Sequence, residues 1–133
     1  MVNLRRTALA VLIVVAAFYA YGAVVHVANM AGTTGIDWPD APLKWQVLDV
    51  VYLVLDLLVM VFLPVRKQAG IVAFYLAAVS QIVLYTLGRD WIMDVPEAFQ
   101  RPDEDLAYLD TLVAFHVATL MLVSAALWQF RRA

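Results

Sequence analysis

Four long apolar stretches, near residues 7–30, 43–63, 68–88 and 106–130, take up most of this 133-residue chain. Each is close to or above the roughly 20 residues that a helix needs to cross a bilayer. Hydrophobic residues make up 65% of the sequence, and the mean hydropathy is +0.82. Soluble domains hold only about 45–50% apolar residues. Open sheet edges are not viable in hydrocarbon, and no stretch shows the alternation of an outer-membrane strand, so the expected fold is an all-α membrane protein. It is a single domain, a bundle of four transmembrane helices over those four stretches.

Charge placement gives an orientation. Arg5 and Arg6 precede the first stretch, Arg66 and Lys67 separate the second from the third, and Arg131 and Arg132 follow the fourth. By the positive-inside rule these three regions, with both termini, are cytoplasmic. The other two connections, "AGTTGIDWPDAPLK" and "RDWIMDVPEAFQRPDED", then lie outside and carry most of the acidic residues. The asymmetry orients the chain and gives no basis for binding nucleic acid. Trp45, Trp91 and Trp128, near the ends of the stretches, are expected to be interfacial anchors. The opening "NLRR" followed by an apolar run resembles a signal peptide, but the run exceeds the usual 7–15 residues of such a segment, so a retained first helix is expected. The Ala- and Val-rich, compact chain points to a multi-pass protein of a bacterial cytoplasmic membrane.

The polar residues inside the apolar stretches are the candidates for function, because a carboxylate near the bilayer centre costs roughly 2.5–3.5 kcal/mol on insertion scales. In "VLDVVYLVLDLLVMVFL", Asp49 and Asp56 are two helical turns apart and share a face with Tyr52. In the first stretch Tyr19, Gly22, His26 and Asn29 form a second polar stripe, with Gly22 and Ala23 small enough to admit a neighbouring helix or a flat ligand. Gln81 and Tyr85 are one turn apart in the third; the fourth carries Asp110 near its outer end, then His116 and Thr119. Counting depth from the outer helix ends puts His26, Asp49, Tyr85 and Asp110 shallow, with Asp56, Gln81 and His116 near mid-membrane. This implies an outward-opening polar pocket that narrows at Asp56, with Asp56 facing Gln81 or His116 and a dry inner half.

A histidine beside carboxylates in a poorly hydrated pocket is suited to proton transfer, which makes His26, Asp49 and Asp56 the catalytic candidates. Tyr52, Gln81, Tyr85, Asp110 and His116 are the candidate ligand-binding residues. The expected ligand is lipid-like or amphiphilic, alongside membrane lipid itself. Interhelical hydrogen bonding is the alternative role for the polar residues. A homo-oligomer, or an accessory subunit of a membrane redox or transport complex, is the alternative for the whole chain. Haem b held by His26 and His116 is chemically allowed, as is a His and Asp metal site, although no ligand spacing favours either. The absence of cysteine excludes disulfides, thiol catalysis and cysteine-held metal or iron-sulfur centres.

"GAVVHVANM" in the first stretch, an acidic second one, "AAVSQIVLYTL" in the third and a polar fourth resemble the EXPERA family, the emopamil-binding sterol isomerases and their sigma-receptor relatives. The resemblance spans most of the chain. It implies a four-helix bundle around a pocket for a sterol or amphiphilic amine, with isomerase proton chemistry on His26, Asp49 or Asp56, and Gln81. The isomerases carry a Glu one turn after the first-helix histidine, and here Met30 stands in that place.

Overall fold

The computed structural model describes residues 2–132. The chain forms α1 (Val2–Met30), α2 (Leu43–Phe62), α3 (Gln68–Thr86), the short α4 (Arg89–Met93) and α5 (Pro102–Arg132), with one-turn 3-10 segments at Trp38–Asp40 and Glu97–Phe99. There is no strand among the described residues. Among the described residues four helices, α1, α2, α3 and α5, are long and apolar enough to cross a membrane.

Helix ends follow local chemistry. α5 begins at Pro102, earlier than the apolar stretch suggested, because proline suits the first helical position and Asp103, Glu104 and Asp105 in the first turn favour the positive end of the helix dipole. α1 likewise starts before its apolar run, through Asn3–Thr7, where the Thr7 hydroxyl bonds back to the Asn3 carbonyl. It ends in a Schellman turn: Gly32 adopts φ +74°, and the amides of Thr33 and Gly32 bond to the carbonyls of Ala28 and Asn29. The turn after α2 is closed in the same way, by Lys67 N–H to Phe62 and Arg66 N–H to Leu63, but with Arg66 at φ +55° where glycine is usual.

The long helices pack in a ring in which α1 touches α2 and α5, and α3 touches α2 and α5. Consecutive members run antiparallel, so the bundle has a loop end, bearing residues 31–42 and 87–101, and a terminal end, bearing both chain ends and the α2–α3 turn. Packing toward the terminal end is dense. Leu12, Val59, Leu63, Phe74 and Val123 are completely buried there, with Ala77 and Ala78 between them. Gly70 lets α3 cross the end of α2 at backbone contact, since a Cβ built on it would lie 2.3 Å from the Leu63 nitrogen. Tyr75 and Ser124 form a polar link across this half at 2.7 Å. The outward faces of the long helices carry Val14, Val24, Val54, Leu76 and Met121, all half or more exposed. Apolar surface on this scale suits lipid rather than water.

At the loop end the two connections fold inward. The Lys44 ammonium donates to the carbonyls of Trp91 and Asp94, Trp45 Nε1 donates to the Ile92 carbonyl at 3.0 Å, and Gln46 Nε2 donates to the carbonyls of Trp38, Pro39 and Ala41. These bonds tie both connections to the first turn of α2. As a result Ala41 and Ile92 are buried.

Candidate functional site

Between this cover and the dense half lies a cavity of about 450 Å³. α1 lines it with Tyr19, Gly22, His26 and Asn29, and α2 with Asp49, Tyr52 and Asp56. Gln81 and Tyr85 line it from α3, and Leu112, Phe115 and His116 from α5. The periodicities read from the sequence account for this convergence, because each set repeats at three, four or seven residues and so shares one helical face.

His26 is the centre of the polar cluster. Its Nδ1 lies 2.7 Å from Asp49 Oδ1, and its Nε2 lies 3.6 Å from Asp56 Oδ2. Asp49 also accepts from Asn29 Nδ2 at 3.2 Å and from Trp38 Nε1 at 2.9 Å, so it holds α1 and the first connection to α2. A carboxylate so engaged fixes Nδ1–H on the imidazole. The other nitrogen is left facing Asp56, and the approach is favourable when one proton is present between Nε2 and Oδ2, on either atom. Tyr52, roughly parallel to the His26 ring, bonds through its hydroxyl to Ser80 Oγ at 3.0 Å.

The antiparallel course of α1 and α2 explains how one ring meets two carboxylates two turns apart. Side chains lean toward the N-terminus of their own helix. His26 therefore leans toward the terminal end and Asp56 toward the loop end, and the two converge. Depth counted along the backbone alone missed this, and the expected facing of Asp56 with Gln81 or His116 is corrected accordingly: Asp56 turns toward His26. Both nitrogens of the buried His116 are without a hydrogen-bond partner, as is the buried Tyr19 hydroxyl, with the two rings edge to face at 6.3 Å. Leaving such groups unpaired costs about 1–3 kcal/mol each. Their position on the cavity wall makes them ready partners for a bound molecule.

Asp110 does not join the cavity. It is 68% exposed and pairs with Arg89 at 2.5 Å. Six residues along a helix amount to about 1.7 turns, so Asp110 and His116 point in different directions. The outward opening is also revised, because Trp38, Ala41 and Ile92 cover the loop end of the cavity. Its exposed lining residues are Phe18 and Tyr21 on α1, and Tyr108 and Thr111 on α5, so it reaches the surface at the side, between those helices. Phe18 meets Phe115 edge to face at 5.4 Å at the inner limit of that opening.

For haem, an axial histidine must offer a free nitrogen to iron. His26 has Nδ1 bonded to Asp49 and turns Nε2 toward Asp56 at 3.6 Å, and both nitrogens of His116 are without a hydrogen-bond partner. No group of three potential metal ligands occurs among the described residues. Tyr19, Asn29 and Trp38 were not singled out as site residues. Tyr19 and Asn29 were visible in the stripe around His26, whereas Trp38 lies in a connection whose folding no periodicity reveals. Comparison with known protein families, curated proteins and solved structures finds no match to the chain.

Proposed function

We propose that this chain is a multi-pass protein of a bacterial cytoplasmic membrane, with both termini cytoplasmic, and that its cavity binds an amphiphilic molecule with a cationic head. One observation carries the ligand class: three carboxylates, Asp49, Asp56 and Asp105, line the cavity with two histidines, Asp49 and Asp56 both lie against His26, and among the described residues no lysine or arginine lines it. With His26 protonated and Asp49 and Asp56 ionised, that cluster keeps one uncompensated negative charge. A poorly hydrated site gives that charge a strong preference for a cation or a proton. The mostly apolar walls and the side opening between α1 and α5 suit a lipid-like body entering from the bilayer.

The resemblance to the EXPERA family belongs to this proposal. The proton between His26 and Asp56 is the one available for isomerase-like transfer. With Met30 in place of the isomerases' Glu, Asp49 and Asp56 are the carboxylates left to serve it.

The test uses the full chain in detergent and probes of equal chain length: dodecylamine, dodecanol and dodecanoate. Dodecylamine should raise the melting temperature of the wild type, and Asp56→Asn should remove that rise. Equal responses to all three probes would defeat the assignment of a cationic head.

A further inference from the structure

The terminal end of the bundle holds six of the nine basic residues, Arg5, Arg6, Arg66, Lys67, Arg131 and Arg132. All 11 acidic residues lie between Asp37 and Asp110, and none lies in the α2–α3 turn or in the second half of α5. Among the described residues no carboxylate forms an ion pair at the terminal end.

Two of these cations are organised. A groove of about 380 Å³ lies between the α2–α3 turn and the end of α5, lined by Val65, Arg66, Ile71, Leu127, Phe130 and Arg131. Arg66 holds the left-handed position of its Schellman turn, which a non-glycine residue occupies at a cost, and its guanidinium rests over the Phe130 ring at 4.3 Å. The turn therefore aims this side chain along the groove rather than leaving it to wander in solvent. α3 starts beside it with no side-chain cap, so the positive end of the helix adds to the field. The remaining lining, Val65, Ile71, Leu127 and Phe130, is apolar.

We propose that this groove binds an anionic phospholipid, with the phosphate between Arg66 and Arg131 and the upper acyl chain along Val65, Ile71 and Leu127. Guanidinium forks match phosphate oxygens in geometry and charge. The apolar wall directly beside them favours a phosphate that carries a hydrocarbon chain over one that does not. The inference rests on the membrane reading of the four helices and is independent of what the cavity at the other end binds.

The test measures binding of dioleoyl phosphatidylglycerol to the full chain in detergent by native mass spectrometry and thermal shift. Dioleoyl phosphatidylcholine and inorganic phosphate serve as the other arms. Removing one basic charge anywhere near an anionic membrane surface weakens binding about fivefold. Arg66→Gly, which suits the positive φ, and Arg131→Gln should each weaken phosphatidylglycerol binding by more than about tenfold, as loss of a charge-assisted pair requires. Arg6→Gln, outside the groove, should show only the general effect. Equal losses in all three variants would overturn the site in favour of diffuse charge. No preference over phosphatidylcholine would overturn it as well, and stabilisation by inorganic phosphate equal to that by the lipid would overturn the lipid as its source.

Discussion

Gly22 makes room for Asp56: a Cβ built on Gly22 would lie 2.6 Å from Asp56 Oδ2. The carboxylate occupies the space that any other residue at 22 would fill, and from there it faces His26 Nε2. The small residue on α1 thus does more than bring two helices together. It sets the position of the acid.

Gly22→Ala should separate stability from function. The atom in the way is the end of a flexible side chain, so Asp56 can turn aside, while alanine inside a helix is favoured over glycine by about 0.5–1 kcal/mol. The melting temperature in detergent should hold or rise, and the response to dodecylamine should fall. A variant that melts several degrees lower would show that the contact is packing and not positioning.

Gly70→Ala should behave in the opposite way. Its Cβ would meet the Leu63 nitrogen at 2.3 Å and the Phe62 carbonyl carbon at 2.4 Å, backbone atoms that cannot swing away. Overpacking of a buried contact costs about 1–3 kcal/mol and more where backbone must move. The variant should melt well below the wild type, with the loss centred on the α2–α3 turn in hydrogen exchange.

The contrast shows what the sequence could and could not disclose. Periodicity brought His26, Asp49, Tyr52, Asp56 and Gln81 to one interior, because residues three, four or seven apart share a helix face whatever the partner helix does. It could not assign partners across the bundle, since these depend on which way antiparallel side chains lean and on how the helices are aligned, and so Asp56 was expected beside Gln81 or His116. It could not predict the inward fold of residues 31–42, which rests on hydrogen bonds from Trp38 and Gln46 rather than on any pattern. Asp110 was grouped with the shallow residues His26, Asp49 and Tyr85 by depth alone, and its direction around α5 decided otherwise.

Trp38→Phe tests the cover over the cavity. The substitution keeps an aromatic side chain and removes the indole N–H that reaches Asp49. A hydrogen bond to a charged group contributes about 1.5–3 kcal/mol, and Asn29 and His26 remain to support Asp49. Residues 31–42 should exchange amide hydrogens faster while α1 and α2 keep their protection. Unchanged exchange in that connection would mean that Gln46 alone holds the cover in place.

Orientation can be tested without background labelling, because the chain has no cysteine. Single cysteines at Thr34, on the α1–α2 connection, and at Gln68, the first residue of α3, lie at opposite ends of the bundle. In intact cells an impermeant thiol reagent should label the Thr34→Cys protein and spare Gln68→Cys until the membrane is opened. The reverse pattern would invert the topology proposed from the arginines.

Asp56 carries the sharpest prediction, because it is 4% exposed and, among the described residues, has only His26 within ion-pair distance. Asp56→Asn keeps the size of the side chain and removes its charge and its titrating proton; Asp56→Leu removes hydrogen bonding too. If the carboxylate only joined helices, Asn would be nearly silent and Leu neutral or stabilising, since replacing buried polar groups by apolar ones often is. If it holds a cationic head or passes a proton to His26, Asn should abolish the dodecylamine response while the melting temperature holds or rises. The two readings separate in a single pair of measurements, melting temperature with and without the amine at equal protein concentration. An Asn variant that keeps the full amine response would remove Asp56 from the site and leave His26 with Asp49 as the remaining pair.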